Sequence, residues 1–273
     1  MTFASKLESD TLALALEITP PRTSKPSVLL RRAGLLGEAA DAINVIQRPD
    51  RQSSLSASVE LRRSGLEAVW HLTTRGRAPT GIIDDLATAR EASITQVLCI
   101  RGEGRDDQGT GQTVRATVAE VCEALPRVLV GATLNQYSPH PERAIRNLAG
   151  KLDAGASYIQ TQPVYDVAEV ERLVKLPNLA ATRPRVVAMV MPLLSLETVR
   201  LVEERLSIKV PAAYTSRVSK SEAEAWTAFR DILAQLVASR HVDGLALMTF
   251  EMDSDLETGK RIVDALRDAG AVY

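Results

Sequence analysis

Eight short β-rich runs recur along the chain, with helical patterns between them. The first four are LALALEIT (Leu12 to Thr19), AINVIQ (Ala42 to Gln47), EAVWHLT (Glu67 to Thr73) and TQVLCIR (Thr95 to Arg101). The series continues with RVLVGAT (Arg127 to Thr133), SYIQTQ (Ser157 to Gln162), RVVAMVM (Arg185 to Met191) and GLALMTF (Gly244 to Phe250). The intervening segments carry apolar residues at helical spacing, for example Leu30, Ala33, Leu36 and Ala40, or Trp226, Phe229, Ile232, Leu233 and Leu236. Such alternation implies parallel strands joined by crossover helices, and eight repeats in 273 residues have the count and size of a (β/α)8 TIM barrel. An open doubly wound sheet is the alternative. No Pro/Ser-rich linker or break in composition interrupts the chain, so one domain spanning 1–273 is expected. The irregular stretch Leu206 to Ser221, between the seventh and eighth runs, leaves room for an extra helix at Ala212 to Val218.

Composition removes several classes of partner. With 45% hydrophobic residues the chain can bury a sizeable core. Its 33 Lys plus Arg against 34 Asp plus Glu, mixed along the length, create no field suited to a polyanion, so nucleic acid is not an expected partner. The longest apolar run, Val186 to Leu194, is broken by Pro192 and is far shorter than the roughly 20 residues that span a bilayer. Met1 to Pro21 has neither a basic start nor a sustained apolar stretch nor a small-residue cleavage site, so the expected address is cytoplasmic. Cys99 and Cys122 read as buried small hydrophobes, and His71, His140 and His241 are too scattered for metal-ligand spacing, so no metal is expected.

In a barrel, chemistry belongs at the carboxyl ends of the strands. In the first run Leu12, Leu14 and Leu16 share one face, while Ala13, Ala15 and Glu17 share the other. The leucines suit the helix layer and the alanines the crowded interior. Glu17 then points inward at the top, just before Pro20 and Pro21. A carboxylate held there loses hydration, which raises its pKa and suits it to proton transfer near neutrality. The competing reading pairs it with Arg22 or Arg101.

Other runs end in polar words: His71-Leu72-Thr73-Thr74, Arg101-Gly102-Glu103-Gly104, and Gln160-Thr161-Gln162-Pro163-Val164-Tyr165-Asp166. His71 has proton-shuttle chemistry but reads equally as a structural residue or a cofactor contact. Gln160 and Gln162 share a strand face, and an amide offers a heterocycle both donor and acceptor; satisfied core amides are the alternative. Glu60 is a further candidate for the mouth or the surface. There is no GxGxxG opening a helix, no P-loop and no GxSxG.

Taken together, these words resemble the methylenetetrahydrofolate reductase family. The resemblance is carried by LEITPPR (Leu16 to Arg22), HLTT (His71 to Thr74), IRGEG (Ile100 to Gly104) and KLDAGASYIQTQPVYD (Lys151 to Asp166), in the family's order and over most of the chain. It implies reduction of the methylene bridge of 5,10-methylenetetrahydrofolate to an N5-methyl group, with NADH or NADPH as electron source. Glu17 matches the catalytic glutamate. Gln162 matches the glutamine that contacts the pterin, and Glu103 takes the place of an aspartate near the pterin. Gln160 and Tyr165 are further substrate candidates. His71, Thr73, Arg101, Gly102, Ala132, His140 and Lys151 would line the site of the hydride donor.

The departures fall on the flavin side. ATLNQYSPHPE (Ala132 to Glu142) keeps only the His-Pro part of a Tyr-Pro-Glu-x-His word. Ala144 and Asn147 stand where flavin-holding members show an Asp and a basic residue, although Lys151 is retained. The second run lacks Ser-Val-Thr-Tyr, and the eighth ends LMTFEMD. The chain is thus similar to a compact branch in which hydride passes directly from the nicotinamide; bound FAD is the alternative. Folate is the implied small-molecule partner, and a homo-oligomer is compatible with the sequence. Two other readings stay open: a different pterin-using barrel such as a methyltransferase, and a folate- or partner-binding barrel without turnover.

Overall fold

The computed structural model describes residues 1–9, 11–102, 111–249 and 255–272. Period-two alternation in the eight runs becomes a closed ring of parallel strands in sequence order, β1-β2-β3-β4-β5-β6-β7-β8, with β8 returning to pair with β1. The first four strands are β1 (Ala13–Ile18), β2 (Ala42–Val45), β3 (Ala68–Thr73) and β4 (Gln96–Ile100). The other four are β5 (Leu129–Thr133), β6 (Tyr158–Pro163), β7 (Arg185–Val190) and β8 (Gly244–Met248). Around them lie α1 (Phe3–Leu7), α2 (Pro26–Ala33), α3 (Ser54–Arg63), α4 (Pro79–Glu91), α5 (Val114–Ala124) and α6 (Pro141–Asp153). The second half adds α7 (Val167–Val174), α8 (Pro177–Thr182), α9 (Leu196–Leu206), α10 (Ala212–Val218), α11 (Glu222–Ala238) and α12 (Leu256–Asp268). The expected TIM barrel is therefore the fold, and the extra helix expected at Ala212 to Val218 is α10. Among the described residues no helix is long and apolar enough to cross a membrane.

One helical pattern divides differently from the expectation. The stripe Leu30, Ala33, Leu36, Ala40 does not form a single helix: α2 stops at Ala33 and a 3-10 segment, Gly34–Ala39, follows. Gly37 takes a positive φ of 57° inside that segment, a conformation an α-helix cannot propagate. The buried face of α2 is formed by Leu29 and Ala33, and Leu30 is 37% exposed.

The two faces of each strand serve two different cores. Ala13, Ala15, Ala42, Val69, Leu98, Tyr158, Val187 and Ala246 fill the lower barrel as one cluster with Phe3 and Leu7 of α1. Leu14, Leu16 and Ile18, one residue out of phase, pack outward among the helices. Small residues on β1, β2 and β8 leave space that Tyr158 occupies. Its ring meets Phe3 edge-on, with centroids 6.4 Å apart. Carboxylates fix the strand starts below. Asp41 accepts the Leu14 N–H at 2.8 Å and pairs with Lys6, while Asp243 accepts the Val186 N–H at 2.7 Å and pairs with Arg185.

The floor requires a glycine opposite Tyr158. A Cβ on Gly131 would overlap Cζ, Cε1 and Cε2 of that ring. Over-packing a core of native density costs about 1–3 kcal/mol. Gly131→Ala is expected to destabilise the protein by that amount, read as a lowered denaturant midpoint at unchanged slope. A variant as stable as the parent would show that Tyr158 is not confined there.

Candidate active site

Above the Tyr158 layer the inward positions turn polar, and the barrel opens into a cavity of about 680 Å³ at the carboxyl ends of the strands. Its wall takes Glu17 from β1, His71 from β3, Thr133 from β5, Gln160 and Gln162 from β6, and Met189 and Met248 from β7 and β8. Arg48 after β2, Arg101 and Gly102 after β4, His140 before α6, Arg143 and Lys151 on α6, and Arg205 at the end of α9 also line it. Eight of the residues singled out from sequence thus meet on one wall: Glu17, His71, Arg101, Gly102, His140, Lys151, Gln160 and Gln162. Glu103 lies outside the described residues.

Glu17 is 7% exposed, at the bottom of this space. Its Oε2 accepts a hydrogen bond from Nε2 of Gln160 at 3.3 Å, and Oε1 of Gln160 in turn accepts one from Nδ2 of Asn44 at 2.9 Å. Register brings these groups together, because Glu17 stands opposite Asn44 in the β1–β2 ladder.

Gln162 is presented by a local irregularity. Four residues of β6, Gln160 to Pro163, stand against three of β7, Val187 to Met189. The hydroxyl of Thr161 accepts the Met189 N–H at 3.1 Å within this bulge. The Gln136 side chain then mimics a neighbouring strand: its Nε2 donates to the Gln162 carbonyl at 2.9 Å and its Oε1 accepts the Gln162 N–H at 3.0 Å. With its backbone held, the half-buried Gln162 side chain is on the cavity wall, and no hydrogen bond to it is seen among the described residues.

His71 is 4% exposed, and its Nε2 is buried with no hydrogen-bond partner. Burial pulls the imidazole from its ordinary 6.5 down to about 3, so it is neutral across the physiological range and is not a cationic proton shuttle. The Ser54 hydroxyl anchors its backbone by accepting the His71 N–H at 3.1 Å while donating to the Val45 carbonyl at 2.5 Å. Lys151 Nζ donates to the Thr133 carbonyl at 2.9 Å, and burial lowers its pKa from the usual lysine value.

Several expected residues are not on this wall. Ala132 falls between inward-facing Gly131 and Thr133, so it packs outward among helices. Thr73 closes against Gly102, whose φ is 87°; a Cβ at Gly102 would lie 3.1 Å from Thr73 Cβ and Cγ2. Tyr165 is buried in the helix layer, its ring 5.0 Å from that of Tyr214 on α10. Glu60 accepts from Gln52 at 2.9 Å and from Ser24 at 3.3 Å, outside the cavity.

Sequence reasoning missed the cationic rim. Arg48, Arg143 and Arg205 join Arg101 and Lys151 around the opening. Arg205 gets there because α9 and α10 stay at the mouth, and the 17-residue α11 makes the crossover to β8. No local motif marks these arginines, and a near-zero net charge conceals their convergence. The rim, the unpartnered His71 Nε2 and the tight Gly102 turn together suit a dinucleotide: cations for phosphates, a buried polar atom for a planar ring, and close backbone approach. Among the described residues no group of three or more His, Cys, Asp or Glu is arranged to hold a metal ion.

Comparison with known proteins gives one family and many fold relatives. Solved structures that share the fold include 2,3-dimethylmalate lyase, a member of the PEP mutase/isocitrate lyase superfamily, at 13% identity over 99% of this chain and 88% of that one, TM-score 0.56. They also include tryptophan synthase from M. tuberculosis in an aminoacrylate-bound form, at 13% identity over 99% of both chains, TM-score 0.55. An open form of that enzyme with BRD0059 bound gives 14% identity over 99% and 96%, TM-score 0.54. At such identities the likeness is one of fold. No curated protein sequence matches significantly. The family model for methylenetetrahydrofolate reductase, by contrast, matches residues 2–258, so with its barrel, its buried Glu17 and its polar mouth this chain belongs to the methylenetetrahydrofolate reductase family.

Proposed function

We propose that this protein reduces 5,10-methylenetetrahydrofolate to 5-methyltetrahydrofolate, taking hydride directly from NADH or NADPH, with Glu17 as the acid that opens the folate ring. The observation that supports this reading is that a buried carboxylate, Glu17, and an amide with no hydrogen bond to it among the described residues, Gln162, line the same cavity. The pterin ring presents an amide-like donor and acceptor edge, which a glutamine can meet with both ends of its carboxamide.

Hydride attack on the closed five-membered ring is slow because the methylene carbon is bonded to two neutral nitrogens. Protonation at N10 by Glu17 breaks the bond from carbon to N10 and leaves an N5 iminium. The glutamate, now ionised, stabilises the developing cation across the low-dielectric floor. Reduced nicotinamide supplies the hydride that completes the N5-methyl group. Neutral His71 offers its unpartnered Nε2 as a hydrogen-bonding group without placing a positive charge beside the iminium. The rim arginines hold anionic groups, whether the donor's phosphates or the folate's glutamate carboxylates.

The same dinucleotide features suit FAD, and the choice of direct transfer rests on Ala144 and Asn147, which line the cavity where flavin-holding members carry charged residues. Neither can pair with a flavin's ribose or phosphate as an acid or base would.

Mixing purified protein with the folate and each reduced nicotinamide should consume the 340 nm absorbance of NADH or NADPH (~340 nm being the reduced-ring band used for hydride transfer). A yellow protein with flavin absorbance would overturn direct transfer. Glu17→Gln is expected to fold normally and lose roughly 10²- to 10⁴-fold in turnover; full activity removes its role as acid. Gln162→Ala is expected to weaken folate binding about 5- to 150-fold, the loss of two hydrogen bonds; unchanged affinity counts against the pterin contact.

His71 also sets a pH dependence of stability. Its folded pKa, about 3, lies below the ordinary 6.5, so between those values the unfolded chain binds one more proton. Its contribution is complete above pH 6.5 and is lost as pH falls towards 3, with a limiting slope of about 1.4 kcal/mol per pH unit. His71→Gln is expected to flatten the decline in unfolding free energy between about pH 6 and 4.5. Parallel curves for the two proteins would mean the imidazole is not buried neutral.

A further inference from the structure

Asn44 is 1% exposed, is not on the cavity wall, and still donates to Gln160 at 2.9 Å. Gln160 is 2% exposed and donates to Glu17 at 3.3 Å. Three strands, β2, β6 and β1, thus contribute one chain of polar groups across the barrel. Burying two amides here is costly unless their hydrogen bonds are made, and well-packed apolar residues would fill the same space at no such cost.

A primary amide has a donor end and an acceptor end of nearly equal shape. Facing Glu17, the acceptor end of Gln160 would set a carbonyl dipole against the carboxylate, whereas the donor end attracts it. Asn44 engages the other end of that amide: its Nδ2 donates to Oε1 of Gln160, while Nε2 of Gln160 is directed at Glu17. We infer that Asn44 is a positioning residue: acting through the Gln160 amide, it holds Oε2 of Glu17 and so fixes the orientation of the carboxyl group that exchanges a proton with the substrate. This rests on Glu17 being the acid, and it moves Gln160 from substrate contact to support of the acid. A donor on a carboxylate favours the ionised form, so the relay offsets part of the burial and keeps the acid able to give up its proton.

The test compares Asn44→Leu, branched at Cγ like asparagine and without a donor, with the parent and with Glu17→Gln. Turnover is expected to fall about 10- to 100-fold, the range of a lost hydrogen bond to a charged group, with the dissociation constant of the folate substrate unchanged. In the Glu17→Gln background the same change is expected to have no further effect. A ¹³C-NMR titration of labelled glutamate carboxyls, with Glu17 assigned by its absence in Glu17→Gln, is expected to show its midpoint rising by about one unit in Asn44→Leu. The charged and titratable groups that share the cavity with Glu17 among the described residues, namely His71, His140, Arg48, Arg101, Arg143, Lys151 and Arg205, are the same in both proteins, so the difference reports the amides. Gln160→Met, for which the same midpoint shift is expected, serves if Asn44→Leu does not fold.

An unmoved midpoint, an undiminished turnover, or an equal further loss in the Glu17→Gln background overturns the relay. If Glu17→Gln loses activity and Asn44→Leu does not, the relay alone is wrong. If Glu17→Gln keeps full activity, the acid reading fails, and the relay's catalytic role fails with it.

Discussion

A closed ring of parallel strands admits only one inward residue in two, and every such residue must either fill space or face the opening. That constraint governs the whole molecule. Below, Ala13, Ala15, Ala42 and Ala246 are small enough for Tyr158 and α1 to fill the barrel, and Gly131 yields its side-chain volume to the Tyr158 ring. Above, the same inward series passes to Glu17, Asn44, His71 and Gln160, which carry hydrogen-bonding groups into the buried layer. The boundary between packed floor and polar mouth is therefore set within single strands: Ala15 and Glu17 are two residues apart on β1, and Tyr158 and Gln160 two apart on β6.

Burial and hydrogen bonding act differently on the groups of the polar layer. His71 is left with an unpartnered ring nitrogen and stays neutral. Glu17 keeps at least one amide donor. A carboxyl group and a neutral imidazole lie deep in one cavity, under a rim of arginines. The proposed acid thus sits where water is scarce, and the cations sit where a ligand's charged ends can remain partly hydrated.

Position within a strand was legible in the sequence for the residues that alternate cleanly. The inward face of Glu17 follows from Leu12 to Thr19 alone, and the outward leucines beside it confirm the phase. Ala132 shows the limit: its word belongs to the motif, yet the parity of β5 turns it towards the helices. Tyr165 lies beyond the end of β6, where period two no longer applies, and the packing of α10 captured it. Asn44 could have been found by the same alternation that found Glu17, since Ala42 and Asn44 share a face, but its importance depends on a partner 116 positions away.

The chain's own pattern determined the barrel, the order of its strands, the inward acid and the extra helix before β8, because these depend on residue spacing of two or of three to four along a continuous segment. Only the tertiary structure decided which polar groups meet. Asn44, Gln160 and Glu17 come from three strands, and Arg48, Arg101, Arg143 and Arg205 from separate loops and helices. Their convergence arises from ring closure and from α9 remaining at the mouth, and such long-range distances leave no trace in local sequence.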